Sequence, residues 1–388
     1  MTMTQMTGRE RVLAALRHEP VDRIPWVPLF DHYVMGGFGP DVPDDMIEAL
    51  HYLDCDILAR HVRVFTDERF RRDKRGGDED EVGRLLGTWQ YPGGVEVTRT
   101  WQDGQYVQTV DTPLGSVQTV HRLMESAPGS PFLAKLPVQS PEDLRIYRYA
   151  MERIELPTEK DDEHFWETER AIGDAGIATA SGPGSPFLTL LQGVFGVQYF
   201  YYALADYPQE VEGLMEMLHR RNMAYYERLV ESPAEVIIAY ENTGTTLHSP
   251  RLYDQYAGPC LDAYADIVHR AGKTILVHMC GKLWDMRETL SHAHYDGMTD
   301  IAPPPTGNLW LDDAKRAWPD KVVLGGVDPT VFVSPDQDMV RETVGSLIER
   351  IKPFRGIMLG SADATPHGAR VENFRLIREL VDTLGRYP

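Results

Sequence analysis

The densest concentration of reactive residue types is Val277-His278-Met279-Cys280-Gly281, directly after the apolar run Thr274–Val277. Successive side chains of an extended segment point to opposite faces, so His278 and Cys280, two apart, share one face. An imidazole nitrogen and a thiolate on one face can grip a single metal ion, and that donor pair suits zinc. Gly281 is expected to let the chain turn away at once. The pair also has a plain reading, because a histidine and a cysteine at a strand end are often packed or hydrogen-bonded side chains. Other reactive types recur in the same situation, just past an apolar run: Asp31 and His32, Arg60 and His61, Ser181, Glu241 and Asn242, Asp300, Asp328, and Ser361 and Asp363.

Such a pattern needs a scaffold that delivers strand ends to one place. Strands are expected over Ile24–Phe30, Cys55–Ala59, Gly176–Ala180, Val236–Tyr240, Thr274–Val277, Gly297–Ile301, Val322–Gly325 and Gly356–Leu359. Helical patterns lie over Gly8–Glu19, Asp44–Leu53, Pro208–Val230, Ser249–Ala271, Trp284–His292, Leu311–Ala317, Pro335–Lys352 and Val371–Leu384. Eight strands alternating with helices point to the α/β class and a (β/α)8 TIM barrel, with a doubly wound open sheet as the rival. In a barrel, working groups sit at the C-terminal ends of the strands, where the residues above fall.

Residues from about 62 to 150 break this alternation. A mixed charge run from Arg71 to Glu81 reads as a solvated loop. Val95–Trp101, Tyr106–Val110 and Ser116–Val120 then alternate polar and apolar residues around Asp103-Gly104 and Pro113-Leu114-Gly115, which are hairpin signals. The expectation is an inserted antiparallel β-hairpin region packed on the main body, within a single domain spanning 1–388.

Composition weighs against several function classes. Lys and Arg total 39 against 59 Asp and Glu, a formal charge of −20 that repels nucleic acid and anionic membrane surfaces. Cys55, Cys260 and Cys280 are few and far apart, the usage of a reducing compartment, so a cytoplasmic location is expected. Neither a secretory leader nor a membrane-length apolar run stands out. Other features have plain explanations. The aromatic cluster Tyr199–Tyr202 has core spacing, and Ser181–Ser185 lacks the glycine pattern of a phosphate loop. His292 and His294 are expected to face solvent, and Cys55 and Cys260 to be small buried hydrophobes.

The segment Arg9–Pro25, with its R-x-x-x-A-L…D-R-x-P pattern, resembles the opening of the uroporphyrinogen decarboxylase superfamily. Thr112-Pro-Leu-Gly115, Ser249-Pro-Arg-Leu-Tyr253, Gly326-Val-Asp-Pro329 and Glu372-Asn373 are similar to its later motifs, in the same order. The His278-x-Cys280-Gly281 run resembles the zinc motif of that superfamily's methyltransferase branch. Departures are equally plain: Phe30–Gly37 lacks the arginines that would hold a porphyrinogen's carboxylates, and Gly360–Asp363 replaces G-H-G. A true uroporphyrinogen decarboxylase is therefore not expected.

The resemblance implies a (β/α)8 barrel and a zinc-assisted methyltransferase, with a corrinoid or tetrahydrofolate as methyl carrier and a small thiol or hydroxyl as acceptor. Counting back from Asn373, the branch's third zinc ligand, a cysteine, falls on Asp363, so the metal set becomes His278, Cys280 and Asp363, with Glu241 as a competing ligand. Glu241, Asp300 and Asp328 are the candidates for catalysis, Asp300 or Asp328 to orient or protonate the reaction partner. Asp31, His32, Arg60, His61, Ser181 and Asn242 are candidates to line the cofactor and substrate cavity. Partners would be a small-molecule substrate and a corrinoid protein. Two other readings stand beside this one: a decarboxylase acting on a smaller acid, and a non-catalytic partner subunit for a corrinoid protein.

Overall fold

The computed structural model describes residues 5–30, 38, 42–43, 45–66, 87–124, 127–157 and 159–388. Asp31 and His32, and the charge run from Arg71 to Glu81, lie outside the described residues. The chain divides into two compact units, one of residues 1–63, 162–183 and 229–388, the other of residues 64–161 and 184–228.

The first unit is built on eight parallel strands: β1 (Trp26–Val27), β2 (Ile57–Val62), β3 (Gly176–Pro183), β4 (Val236–Tyr240), β5 (Thr274–His278), β6 (Gly297–Ile301), β7 (Val322–Val327) and β8 (Ile357–Ser361). Their hydrogen-bonded order is β1-β8-β7-β6-β5-β4-β3-β2, a nearly closed barrel of the TIM type. Between β1 and β2 the seam is bridged by Asp56, whose N–H donates to Trp26 O and whose Oδ2 accepts from Trp26 N, each at 2.8 Å. Strand β1 is shorter than the expected Ile24–Phe30 because Pro25 and Pro28 bring no N–H to a ladder.

The helix Gly8–Leu16 packs its buried Val12, Ala15 and Leu16 against Leu58, Ile177, Val236, Leu276 and Val322, which lie at or near the first residues of their strands. The helix thereby closes the end at which the strands begin. It is started by a capping box: Glu10 N donates to Thr7 Oγ1 and Thr7 N to Glu10 Oε2. Arg11 leaves its buried face to pair with Asp22 at 2.7 Å and with Asp56, and Arg23 donates to the same Asp56 carboxylate at 2.6 Å. The residues that carry the opening family motif thus form one buried ion network that holds the helix to the seam.

The other motifs also serve the fold. Ser249 and Asp328 cap the helices that start at Pro250 and Pro329, and Thr112 Oγ1 braces the hairpin that ends at Gly115. Buried Asn373 donates to the carbonyl oxygens of Val331 and Phe332 at 2.9 Å. The expected helix Ser249–Ala271 is interrupted by a π-turn over Tyr253–Ala257 before it resumes at Gly258–Arg270. Pro259 removes a backbone donor at that junction.

The second unit holds a five-stranded antiparallel meander of Gly87–Tyr91, Val95–Gln102, Gln105–Thr112, Gly115–Met124 and Ala127–Lys135. Asp103 and Gly104, with φ of 50° and 71°, form the two-residue turn that hairpin twist favours. Val95, Val97, Val110 and Val117 pack on Ile146 and Ala150 of the helix Pro141–Met151. The two outer strands were not expected: Ala127–Lys135 contains Pro128, Gly129 and Pro131, and Gly87–Tyr91 has no buried face, both features of edge strands. The helix Pro208–Leu229, expected within the barrel's alternation, belongs to this unit apart from its last residue.

Candidate metal centre

His278 is the last residue of β5, in register with Tyr240 on β4 and Thr299 on β6. Three residues on, the chain at Gly281 lies flat against the loop after β4: a Cβ there would stand 2.2 Å from Thr243 O and 2.9 Å from Gly244 Cα. Glycine is required at 281 by this close approach; its φ is not left-handed, so the expected immediate turn is not what selects it. From β8, Ser361 Oγ accepts from Leu29 N at 3.1 Å and Thr365 Oγ1 donates to Leu29 O at 2.6 Å, which ties the following loop to the end of β1. That loop carries Asp363.

These placements bring one ligand atom each from His278, Cys280 and Asp363 within 4.8 Å of one another, the one group of three such residues among the described residues. A tetrahedral zinc ion with bonds of about 2.0–2.3 Å holds its ligand atoms about 3.3–3.8 Å apart, so the set closes on the ion with a small inward movement. The chemistry also fits. Burial pushes the Cys280 thiol up, and the carboxylates of Asp363 and Asp300 add to the shift, so a cation is needed there to draw out the thiolate. Three such ligands would leave a fourth position open on a bound zinc ion, as in catalytic rather than structural zinc sites.

Behind the histidine, Asp300 Oδ2 lies 2.5 Å from His278 Nδ1 and accepts from Arg60 Nη1 and Thr299 Oγ1, each at 2.6 Å. Asp300 is completely buried, which by itself would raise its pKa. The charge of Arg60 and the His278 imidazole outweigh burial and hold the carboxyl well below the usual range. On the other side of His278 the Tyr240 ring lies 5.6 Å away, and His61 stacks on Tyr240 at 4.3 Å. Burial pushes the Tyr240 hydroxyl up to about 12. Ser181 Oγ is 3.4 Å from His61 Nδ1, and Asn242 Oδ1 is 3.8 Å from Cys280 Sγ.

Several expected roles change. Arg60 was expected to line a cavity; its side chain is only 3% exposed and is bound to Asp300. Asp300 was expected to act on the reaction partner and instead holds His278. Asp328 is a helix cap, accepting from Thr330 N at 2.9 Å and Thr330 Oγ1 at 2.6 Å. Glu241 is not part of that cluster; it is fully buried, and its charge adds to the burial that raises the pKa of Tyr253 and Cys260. Tyr240 and Thr299 were overlooked, although lining up the ends of β4, β5 and β6 in the sequence places both beside His278.

Residues 133–384 match the family Uroporphyrinogen decarboxylase (URO-D). Among solved structures, a methyltransferase from Methanosarcina mazei superposes with a TM-score of 0.58 at 17% identity, covering 97% of this chain and 99% of that one. A B12-independent methionine synthase from a Shewanella species gives a TM-score of 0.41 at 10% identity, over 59% of this chain and 68% of that one. No curated protein sequence matches. No helix among the described residues is long and apolar enough to cross a membrane. With more than half of its length matched, and with the family's motifs serving as caps, turns and braces of its fold, the chain belongs to the URO-D family.

Proposed function

We propose that this protein is a zinc-assisted methyltransferase that moves a methyl group between a corrinoid or folate carrier and a small thiol or hydroxyl acceptor. The observation that carries the reading is the convergence of His278, Cys280 and Asp363 at the C-terminal ends of β5 and β8, where barrel enzymes do their chemistry. These three residues would hold the metal. When bound, zinc supplies a Lewis-acid position at which a thiol or hydroxyl loses its proton near neutral pH.

The chain's own residues supply position and a dry wall. Asp300 keeps the His278 ring fixed, and the Tyr240 and His61 rings cover its flank, so the nucleophile is aligned with the methyl group instead of drifting in water. Asp363 in place of a thiolate donates less electron density, which favours a harder acceptor oxygen over a second sulfur. The methyl carrier, free or brought by a corrinoid protein, would meet the acceptor at this strand-end face. A decarboxylase reading needs arginines open to substrate carboxylates, and Arg60 is already bound to Asp300.

The test is metal analysis of the purified protein, with His278→Ala, Cys280→Ser and Asp363→Ala beside it, followed by methyl release from methylcobalamin and methyltetrahydrofolate with a panel of thiols and phenols. One zinc per chain, lost in each variant, and acceptor-dependent demethylation are expected. Zinc content unchanged by all three substitutions would overturn the reading.

A further inference from the structure

Strands β2 and β6 stand four places apart in the barrel order, on opposite sides of an eight-stranded ring. Both leave regular β geometry at the same place in their run. Near the end of β2 the pairing with β3 slips between Ala178 and Ala180, and His61 has a φ of 57°. In β6 the pairing with β7 slips between Met298 and Ile301, and Asp300 has a φ of 68°. Neither residue is glycine, so each conformation carries strain of order 1 kcal/mol or more. The two bulges re-aim Arg60 and Asp300 so that they meet across the barrel interior at 2.6 Å, with side chains 3% and 0% exposed.

A stability role does not account for this arrangement. A buried ion pair gains little over a well-packed apolar pair. This one is joined through a single oxygen, leaving Arg60 Nη2 and Asp300 Oδ1 buried without a hydrogen-bond partner among the described residues. What the contact does achieve is to load Asp300 Oδ2 with three partners, Arg60, Thr299 and His278, so that the carboxylate cannot rotate away from the His278 ring.

We propose that Arg60 and Asp300 form a transverse strut whose purpose is to set the tautomer of His278, holding the proton on Nδ1 and presenting Nε2 to the metal position. Arg60 and Asp300 are positioning residues, since neither belongs to the ligand group. A histidine that donates its second nitrogen to a carboxylate is both fixed in orientation and made a stronger donor, and loss of such a partner weakens metal binding about 10–100-fold.

The inference rests on the proposed metal site, so its test has an arm that needs no metal. Long-range 15N–1H spectra of the metal-free, histidine-labelled protein at pH 9 should show His278 protonated on Nδ1, and Asp300→Asn should move it to the Nε2 form or to a mixture. Any other state of His278 in the parent protein overturns the strut, whatever zinc does. In the second arm, zinc affinity is measured by competition with a chromophoric chelator. Asp300→Asn and Arg60→Met are expected to weaken it about tenfold or more, with Arg60→Lys, which keeps the charge, closer to the parent. Unfolding midpoints identify variants that have simply lost their fold. Affinity within twofold of the parent in folded Asp300→Asn would refute the inference, whereas failure of the parent itself to bind zinc would refute the proposed function and leave the tautomer result standing.

Discussion

Gly281→Ala probes the contact on which the site's geometry depends. The added Cβ would lie 2.2 Å from Thr243 O, 3.0 Å from Thr243 C and 2.9 Å from Gly244 Cα, all backbone atoms that cannot rotate aside. Restoring ordinary contact requires the two segments to part by about 1 Å, and overpacking of this kind costs about 1–3 kcal/mol. The parting also strains the hydrogen bond from Thr245 N to Lys282 O, now 3.0 Å. Cys280 is the neighbour of the displaced residue, and metal sites tolerate only about 0.2 Å in ligand distance. Urea unfolding should therefore show a lower midpoint with an unchanged slope, and zinc competition should show weakened binding in the protein that remains folded. Gly244→Ala, whose Cβ would meet Lys282 N at 2.8 Å and Gly281 Cα at 2.9 Å, pushes the same two segments apart, so the double variant should lose less than the sum of the singles. A stability loss below about 0.5 kcal/mol, the range of ordinary surface substitutions, together with parent-like zinc affinity in Gly281→Ala would refute this account of the motif's glycine.

Asp328→Ala should cost about 0.5–2 kcal/mol through the lost helix cap and leave zinc content intact; loss of zinc from the folded variant would restore Asp328 to the site. Asp56→Ala leaves Trp26 N without its acceptor, takes from Arg23 its closest carboxylate and leaves Arg11 with Asp22 alone, and breaking a buried pair in this way costs about 3–5 kcal/mol, visible as a large fall in the urea midpoint. Lys315 donates to the carbonyl oxygens of Pro319 and Lys321 at 2.8 and 2.6 Å, and burial lowers its pKa to about 8. From about pH 8 up to the usual lysine value near 10.4, the unfolded chain holds a proton that the folded chain has released, so this side chain adds stability as pH rises through that window. Lys315→Met should lack that rise; parallel stability–pH curves for the two proteins would contradict it.

The fold was legible because its signals are local. Val236–Tyr240, Gly297–Ile301, Leu311–Ala317 and Val371–Leu384 fall where their apolar patterns place them. Less legible were elements whose residues serve a partner: Pro128 and Pro131 disguise an edge strand, and Pro25 and Pro28 trim β1 to two residues. At the site, the spacing of His278 and Cys280, together with the family resemblance that sets Asp363 ten residues before Asn373, named three residues whose side chains the fold brings together. The pairing of Arg60 with Asp300 was not readable, because it depends on two bulges and on which strands face each other across a closed barrel. Asp300 could be picked out as a strand-end acid, but only the fold shows that it serves the histidine.

The ion network of Arg11, Asp22, Arg23 and Asp56 stands at the start of β2, and Arg60 stands four residues along, about 13 Å away at the rise of an extended strand. That separation divides the molecule's mutational liabilities. Changes to the lower network are expected to tell on folding, while an exchange such as Asp363→Cys, distant from it, would change the donor set of the proposed metal site. A lineage could therefore retune its reaction repeatedly at the strand ends while the signature by which it is recognised stayed the same.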